Sequence, residues 1–402
     1  MNSRERFLAC MRFEPMDRAP DWEMGYWAGT LDRWHDEGLP RHPQGPQGLV
    51  PGAGVKGEGF PWRRGEPKDW AVHDYLGLDK GIEKIDGEWG VYPHFERRVL
   101  EEDDVNITYV AADGTVEQVR KDSSSLPHVL DWPVKDRASW EQLKAERLRI
   151  DITGRLSPEW PQQVAEYRER DWPLVIGGPF LGVFSSLRTL LGFERMMYAF
   201  FDEPELVRDI LSHLTELWLS LFEEVLSQTD VDYAYFWEDM SFKSGSMVSP
   251  RIFRAFLLPV YQRINAFFRE HGIDVIWTDC DGNILKLIPL WLGVGVNCMF
   301  PLEVHPGNDP VALKQQYGRD LLIRGGFDKF ALWQGREAVL AELRRIEPMV
   351  LAGGYIPHVD HRCPALVPWD TYCYYVWEKC HMLGWPEDMI KAFPFYQHWQ
   401  GR

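Results

Sequence analysis

Clustered positive charge is missing from this sequence. The chain has 44 lysine and arginine residues against 61 aspartate and glutamate residues, a formal net charge of −17, and no arginine-rich segment. Nucleic acids and anionic membrane surfaces bind proteins mainly through clusters of positive charge. We therefore expect neither of them among the partners of this protein.

Long apolar runs and paired cysteines are missing as well. No stretch of eighteen apolar residues is present, so no membrane span is predicted. The first residues are charged and typical of a helix rather than of a secretory signal. The six cysteines form no Cys-x-x-Cys pair and show no spacing typical of a disulfide framework. These features predict reduced thiols and a cytoplasmic protein.

From Trp172 onward, short apolar runs alternate with amphipathic stretches. We predict six strands there, at 173–178, 231–237, 274–278, 294–301, 321–326 and 353–357. One strand at 19–24 and one from the region 41–170 would bring the total to eight. The pattern predicts an α/β fold, a single (β/α)8 TIM barrel over residues 1–402. An open doubly wound sheet is the alternative, but no Gly-x-Gly-x-x-Gly motif follows a predicted strand.

The region 41–170 has a different composition, and we predict that it is an insertion. It begins with a glycine- and proline-rich stretch at 43–59, and alternating segments follow around the turn Ala112-Asp113-Gly114. An Asp-Gly turn between two alternating runs is typical of a β-hairpin. We therefore expect a small antiparallel element within the insertion.

Acidic and histidine residues follow five of the predicted strands at the point where each strand ends. They are Glu238 and Asp239, Asp279 and Asp281, Glu303, Asp328 with Lys329, and Asp360 with His361. In a parallel barrel the C-terminal ends of the strands meet at one face, and catalytic residues collect there. The recurrence therefore predicts an active site at this face.

The segment Asp279-Cys280-Asp281 offers the sharpest local chemistry. Alternate residues that leave a strand point the same way, so the two aspartates can present their carboxylates to one point. Such a pair binds a cation, shares a proton or meets a basic group of a substrate. His361 either completes a metal site with them or acts as a general acid or base, and Glu303 is a fourth candidate. The alternative for each carboxylate is a helix cap or a salt bridge in a loop.

Two further residues have competing interpretations. Lys329, next to Asp328 at a strand end, is either a Schiff-base or phosphate-binding lysine or one half of an ion pair. His358 has no converging partner in the sequence, and we predict a surface or loop position for it.

A series of short motifs runs through the chain in a fixed order. They are Asn2-Ser3-Arg4-Glu5-Arg6-Phe7 with Asp17-Arg18-Ala19-Pro20, Trp237-Glu238-Asp239 through Gly245 and Ser249-Pro250, Asp279-Cys280-Asp281-Gly282-Asn283, Pro301-Leu302-Glu303 with Gly307-Asn308-Asp309, Gly325-Gly326-Phe327-Asp328-Lys329, and Gly353-Gly354-Tyr355 through Asp360-His361. In this order the motifs resemble the uroporphyrinogen decarboxylase superfamily. The resemblance covers the chain outside the region 41–170, and it implies a (β/α)8 barrel with its pocket at the C-terminal face of the strands.

The decarboxylases of this superfamily hold the carboxylates of their substrate with an Arg-Gln-Ala-Gly-Arg-type segment after the first strand. The matching stretch here, 24–30, contains no arginine. A substrate with many carboxylates would meet a chain of net charge −17 without that clamp. This departure from the family pattern disfavours uroporphyrinogen itself as the substrate.

The corrinoid-dependent methyltransferases of the superfamily hold zinc with a His-x-Cys pair and a later cysteine. The matching positions here are Asp279 and Asp281 with His361. The resemblance therefore implies a site of oxygen and imidazole ligands, suited to zinc or another divalent metal such as manganese or magnesium. It also implies a corrinoid supplied by a separate carrier protein, because the sequence contains no corrinoid-binding domain.

The leading hypothesis is a methyltransferase-like enzyme that moves a methyl group between a small methylated compound and a separate corrinoid protein. Catalytic roles are predicted for His361, Asp239 and Lys329, and metal binding for Asp279, Asp281, Glu303 and His361. Substrate contacts are predicted for Trp237, Glu238, Tyr26, Asp328 and Asp360. The alternatives are a decarboxylase or other lyase acting on a small acid, and a non-catalytic barrel that binds a small ligand. We also predict a homodimer.

Overall fold

The computed structural model describes residues 1–41, 70–81, 83–121, 126–178 and 180–399, so the stretch predicted at 43–59 lies outside the described residues. In chain order the strands are β1 (Glu83–Lys84), β2 (Arg98–Glu102), β3 (Asn106–Val110), β4 (Val116–Arg120), β5 (His128–Asp131), β6 (Leu174–Gly178), β7 (Tyr233–Trp237), β8 (Ser241–Phe242), β9 (Gly245–Ser246), β10 (Ile276–Asp279), β11 (Cys298–Leu302), β12 (Leu322–Phe327) and β13 (Tyr355–Val359). The six strands predicted after Trp172 are confirmed as β6, β7 and β10 to β13, with shifted ends.

The helices of the described residues range in length from three residues in α9 to 23 residues in α8. They are α1 (Ser3–Arg12), α2 (Ala28–Glu37), α3 (Trp70–Leu76), α4 (Arg137–Arg147), α5 (Trp160–Arg168), α6 (Val183–Leu191), α7 (Phe193–Asp202), α8 (Pro204–Leu226), α9 (Pro250–Ile252), α10 (Leu258–Glu270), α11 (Ile288–Leu292), α12 (Pro310–Tyr317), α13 (Lys329–Gln334), α14 (Arg336–Ala352), α15 (Trp369–Leu383), α16 (Glu387–Ala392) and α17 (Pro394–Trp399). A π-helical turn, Phe253–Leu257, joins α9 to α10. Across the residues that the structure describes, no helix combines the length and the apolar character that a membrane span needs.

The main sheet has seven parallel strands in the order β1-β6-β7-β10-β11-β12-β13. Successive side chains of each strand point to opposite faces, so both faces of a buried strand must be apolar. In β7, Tyr233 and Tyr235 pack on one face, and Ala234 and Phe236 pack on the other. The helices after each strand cover the second of these faces. This is why the strands read as continuous apolar runs in the sequence.

The sheet curls around an apolar cluster on its other face, which we call the inner cluster. Its members are Phe7, Cys10, Met11, Trp22, Val175, Tyr233, Tyr235, Val275, Trp277, Cys298, Phe300, Leu322 and Ile356. Helix α1 supplies three of them and begins with a capping box, in which Asn2 accepts from the backbone N–H of Glu5. The backbone N–H of Gly354 donates to the carbonyl of Cys10, which places α1 at the edge where β13 begins. The opposite edge, where the strands end, carries the predicted site.

The strand predicted at 19–24 does not form. Only Tyr26 makes an isolated parallel bridge, to Cys363 beyond β13. The segment is tied on both sides, because the carbonyl of Asp21 accepts from the N–H of Asp79 and the carbonyl of Gly25 accepts from Cys363. The prediction of a (β/α)8 barrel is thus confirmed in part: the described residues form an α/β fold with a curled sheet of seven parallel strands, and closure into a barrel of eight strands stays a prediction.

Side-chain chemistry explains the irregular backbone of this segment. Pro20 has no N–H to donate to a ladder. Asp21 and Glu23 are fully buried, and the ammonium of Lys379 lies 2.9 Å from Asp21 Oδ1 and contacts Glu23. The hydroxyl of Tyr375 donates to Glu23 at 2.8 Å. We call Asp21, Glu23 and Lys379 the closing ion cluster, because it fixes the segment against α15.

Strands β2 to β5 form a separate antiparallel sheet in the order β2-β3-β4-β5. The turn Ala112-Asp113-Gly114 joins β3 to β4, and Asp113 accepts from the hydroxyl and the N–H of Thr115. Among the described residues of the region 41–170, only those of β1 join the main sheet. The division of the chain into a barrel and an insertion stays a prediction.

Candidate active site

The predicted site residues lie where the parallel strands end. Trp237 is the last residue of β7 and Asp279 is the last residue of β10. Glu303, Asp328 and Asp360 directly follow β11, β12 and β13. Because these strands are parallel neighbours, their C-terminal ends share one edge of the sheet. The tertiary structure then decides which side chains meet there.

Asp281 and His361 form a direct pair at this edge. His361 Nε2 lies 3.4 Å from Asp281 Oδ2, and the imidazole stacks on Trp27 with the ring centres 5.6 Å apart. Burial lowers the pKa of His361, but the hydrogen bond and the charge of Asp281 outweigh it and raise this pKa above its usual value. Burial raises the pKa of Asp281, but the hydrogen bond and the charge of His361 outweigh it and lower this pKa below its usual value. The pair therefore favours an imidazolium beside a carboxylate.

Asp279 is the buried acid of the site. The hydroxyl of Tyr235 donates to Asp279 Oδ2, and 8% of the residue is exposed. Burial, with the nearby charges of Asp281 and Asp239, raises the pKa of Asp279 to about 8. At neutral pH its side chain is therefore mostly a neutral carboxylic acid, which can donate a proton.

Asp239 lies in a strained turn beside this acid. Its φ angle of 39° falls in the left-handed region, which non-glycine residues rarely adopt. The guanidinium of Arg188 donates to its carbonyl at 3.0 Å and lies 3.5 Å from Asp239 Oδ2. Burial, then the charge of Asp281, raises the pKa of Asp239. The turn thus holds a third carboxyl group close to Asp279 and Asp281.

Lys329, Glu303 and Asp360 form an ion cluster on the neighbouring strands. Lys329 Nζ lies 2.8 Å from Glu303 Oε1 and 3.8 Å from Asp360 Oδ1. Burial lowers the pKa of Lys329, but Asp360 and Glu303 outweigh it and raise this pKa above its usual value. Such a lysine stays an ammonium, which disfavours a Schiff-base nucleophile. The arrangement matches the ion-pair interpretation.

Two of these carboxylates also hold the loops of the site. Asp360 is fully buried and accepts from the N–H groups of Val304 and Lys329. Burial raises its pKa to about 6 in spite of Lys329. Glu303 Oε2 accepts from the N–H of Gly282, in the turn after Asp281. The loops after β10, β11, β12 and β13 are therefore connected by hydrogen bonds.

Glu238 and Asp328, which are also predicted to contact substrate, have other contacts within the fold. Glu238 is fully buried and accepts from the N–H groups of Val183 and Phe184 at the start of α6 and from the Tyr261 hydroxyl. Burial raises its pKa to about 7. Asp328 is the N-cap of α13 and accepts from the N–H of Phe330. The helix-cap interpretation describes both carboxylates.

The other two residues with predicted substrate contacts are aromatic. Tyr26 is fully buried, and its ring packs against Trp34 and Tyr372 with the ring centres 5.0 and 5.7 Å apart. Trp237 is half-buried at the end of β7, where the guanidinium of Arg188 lies 5.8 Å from its ring centre. Contacts of these residues with a substrate stay predictions.

The four predicted metal ligands do not converge. Asp281 contacts His361, whereas Asp279 accepts a hydrogen bond from Tyr235 and Glu303 forms an ion pair with Lys329. Within the described parts of the chain, no three His, Cys, Asp or Glu side chains are grouped so that they could hold a metal ion. This donor arrangement does not fit a divalent metal, and we derive no chemical step through one.

Sequence reasoning missed several polar groups on the inner face of the sheet. His358, predicted at the surface or in a loop, is fully buried within β13. Arg324 is buried in β12, and the ammonium of Lys84 in β1 lies 4.8 Å from the ring centre of Tyr235. The prediction for His358 was wrong because the strand extends two residues beyond Pro357. An arginine inside an apolar run was the signal that could have pointed to Arg324.

A curled parallel α/β sheet with a cluster of buried acids at its C-terminal edge defines a class of barrel-like enzyme folds. The family model for uroporphyrinogen decarboxylase (URO-D) matches residues 169–376, more than half of the chain. The protein therefore belongs to the uroporphyrinogen decarboxylase family. None of the curated proteins compared matches it.

The structure is similar to that of a methyltransferase from Methanosarcina mazei. The two chains share 15% sequence identity with a TM-score of 0.59, and the match covers 95% of this chain and 99% of the other. At this identity the likeness shows the fold. It agrees with the fold of the family and leaves the reaction to be tested.

Replacing Asp279 by asparagine is expected to stabilise the protein increasingly as pH rises. The folded state raises the pKa of Asp279 to about 8, so the folded state binds this proton more tightly than the unfolded state does. The contribution of the proton to stability is complete below the pKa of the unfolded chain, near pH 4, and is lost as pH rises to about 8. Urea unfolding from pH 5 to pH 9 should show a growing gain for Asp279→Asn, up to about 5 kcal/mol. A difference that does not change with pH would contradict the neutral acid.

Proposed function

We propose that this protein is a methyltransferase-like enzyme that moves a methyl group between a small methylated compound and a separate corrinoid protein. The observation that carries the proposal is a pair of candidate proton donors at the strand ends: His361, whose pKa is raised by its contact with Asp281, and Asp279, whose pKa burial raises to about 8. Membership of the family and a fold shared with a methyltransferase support it.

The chemistry explains why proton donors matter. When a nucleophile attacks a methyl group bound to oxygen, the oxygen departs as an alkoxide or phenoxide. Both are poor leaving groups. A positioned acid that protonates this oxygen lowers the barrier, typically by a factor of 10² to 10⁴. The C–O bond would break, the oxygen would take the proton from the enzyme, and the methyl group would pass to the reduced corrinoid that the carrier protein brings as the second substrate. One proton is consumed for each methyl group transferred.

The residues of the site divide this work. We assign to His361 the role of donating the proton to the leaving oxygen, while Asp281 keeps the imidazole charged and oriented. Asp279 is the second donor to the same oxygen. The cluster of Lys329, Glu303 and Asp360 joins the surrounding loops and so positions the catalytic groups. We take the segment 21–27 to complete the wall of the site, because Trp27 stacks on His361.

A methyl-transfer assay tests this function directly. The purified protein is incubated with cob(I)alamin, or with a reduced corrinoid carrier protein, and with a panel of methoxy compounds, while the absorbance of methylated corrinoid is recorded. We expect methylated corrinoid with at least one donor and its loss in His361→Ala. No methylation with any donor, under conditions in which a related methyltransferase is active, would overturn the proposal.

The same incubations test the lyase alternative. A decarboxylase acting on a small acid releases CO₂ and leaves the corrinoid unmethylated. Elemental analysis of the purified protein tests the predicted divalent metal, and sedimentation tests the predicted homodimer. These measurements are independent of the methyl-transfer assay, so a metal-free protein would not contradict methyl transfer.

A further inference from the structure

Arg324 is a buried cation whose donor groups lack acceptors. It lies in the middle of β12, and 1% of its surface is exposed. Its Nε and Nη2 atoms have no hydrogen-bond partner among the residues that the structure describes. The guanidinium carbon lies 4.3 Å from the ring centre of Phe300, 4.8 Å from that of Trp277 and 5.3 Å from that of Trp22. Aromatic rings attract a cation but accept none of its strong hydrogen bonds.

Two other buried arginines, Arg170 and Arg155, have hydrogen-bond partners for all three side-chain nitrogens. Arg170 lies 2.9 Å from Asp232 with both side chains almost fully buried. Arg155 donates to the backbone carbonyls of Glu88 and Gly90 at 2.8 Å. Buried charges normally have such partners because desolvation is otherwise uncompensated. Burial lowers the pKa of Arg324 to about 10, which leaves the side chain charged at neutral pH.

The two orphaned atoms form one binding edge. In a guanidinium group the N–H bonds of Nε and Nη2 run parallel along the same side. This geometry matches the two oxygens of a carboxylate, which accepts both hydrogen bonds at once. The unsatisfied edge of Arg324 is therefore shaped for a carboxylate rather than for a single acceptor atom.

The surroundings of this edge connect it to the candidate active site. The Phe300 ring, which lies against the Arg324 guanidinium, is 6.3 Å from the ring of Tyr235, and the Tyr235 hydroxyl donates to Asp279. His358 Nε2 is a second buried atom without a partner, while its Nδ1 lies 2.6 Å from the carbonyl of Val359. The ammonium of Lys84 adds positive charge near Tyr235. Arg324 lies in the middle of β12, whereas Asp281 and His361 lie two residues beyond the ends of β10 and β13.

We propose that Arg324 binds the carboxylate of a small organic acid, which enters carboxylate first and presents its opposite end to Asp281 and His361. This inference rests on the proposed function, because it names the substrate class of that site as a methylated compound with a carboxylate at the far end. The free protein then retains an incompletely satisfied arginine that the substrate completes. Asp279 in its neutral form does not repel the entering carboxylate.

Calorimetry and thermal unfolding of the full chain test this inference with matched probes at constant ionic strength. The probes are 4-methoxybenzoate with 4-methoxybenzamide, and acetate with acetamide. We expect the carboxylates to bind and to raise the melting temperature, and each amide to bind at least about tenfold more weakly. Equal binding of acid and amide would overturn the inference.

Substitutions of Arg324 give the second arm of this test. Arg324→Met keeps an unbranched, flexible side chain and removes the charge, and it should weaken carboxylate binding by about 100-fold. Its melting temperature without ligand should equal or exceed that of the wild type, because an incompletely satisfied buried charge is removed. Arg324→Lys keeps the charge without the parallel edge and should lose about tenfold. This second variant decides the question if Arg324→Met does not fold.

The control variant is Arg12→Met, which removes an exposed arginine at the opposite edge of the sheet and should bind carboxylates as the wild type does. Retained carboxylate binding in Arg324→Met would overturn the inference. Equal stabilisation by chloride or phosphate would also overturn it, since the edge would then hold an inorganic anion only.

The failure of this inference is distinguishable from the failure of the proposed function. Carboxylate binding that depends on Arg324, without methylation of any corrinoid, leaves the binding edge established and removes the methyl transfer. Methyl transfer from uncharged donors only, with no carboxylate binding, would support the methyl transfer and overturn the carboxylate-binding role of Arg324.

Discussion

Replacing His361 by alanine is expected to lower kcat/KM for methyl transfer by about 10²- to 10⁴-fold, the usual effect of removing a general acid. The side chain lies at the edge of the sheet and contributes little to the core, so the melting temperature should stay close to that of the wild type. Steady-state kinetics and thermal unfolding measure the two effects. A variant that melts much lower, yet keeps full activity per folded molecule, would show that His361 is structural.

The pH dependence of activity distinguishes the proton donor from a residue that only contacts substrate. Asp281 raises the pKa of His361, so activity should fall only as pH rises through this raised value. In Asp281→Asn the charge is lost and a neutral amide oxygen is the acceptor that remains, so the falling limb should move to lower pH. Loss of activity without movement of this limb would indicate that Asp281 does not act through His361.

Replacing Lys379 by methionine is expected to destabilise the protein by about 3 to 5 kcal/mol. Lys379 is fully buried and compensates two buried carboxylates, Asp21 and Glu23. Burial lowers the pKa of Lys379, but the two carboxylates outweigh it and raise this pKa above its usual value. Removing the ammonium leaves negative charge in the core and loosens the segment 21–27. Denaturant unfolding measures the loss.

The matched control for this prediction is Lys391→Met. Lys391 is exposed and pairs with Glu387 one turn earlier on α16, and such an exposed pair contributes little to stability. We expect the free energy of unfolding of this variant to stay close to that of the wild type. If Lys379→Met is as stable as the control, the closing ion cluster does not hold the segment in place.

The six strands after Trp172 could be predicted from the sequence, whereas the conformation of the segment 19–24 could not. Strands β6, β7 and β10 to β13 are buried on both faces, so each reads as an apolar run bounded by turn residues. The segment 19–24 carries two acidic residues and a proline, and its conformation depends on Lys379, far away in the chain. No local pattern contains that contact. The same is true of the bridge from Tyr26 to Cys363.

For the candidate site, the sequence by itself determined where the polar groups stand. An acidic residue directly after a buried strand must lie at the C-terminal edge, because parallel strands all end there. Only the tertiary structure decided what each group contacts. Asp281 contacts His361, whereas Glu238 and Asp328 accept hydrogen bonds from backbone N–H groups at the starts of helices. The physical reason is that these contacts depend on the curvature of the sheet and on the paths of the loops, which bring distant parts of the chain within hydrogen-bond distance.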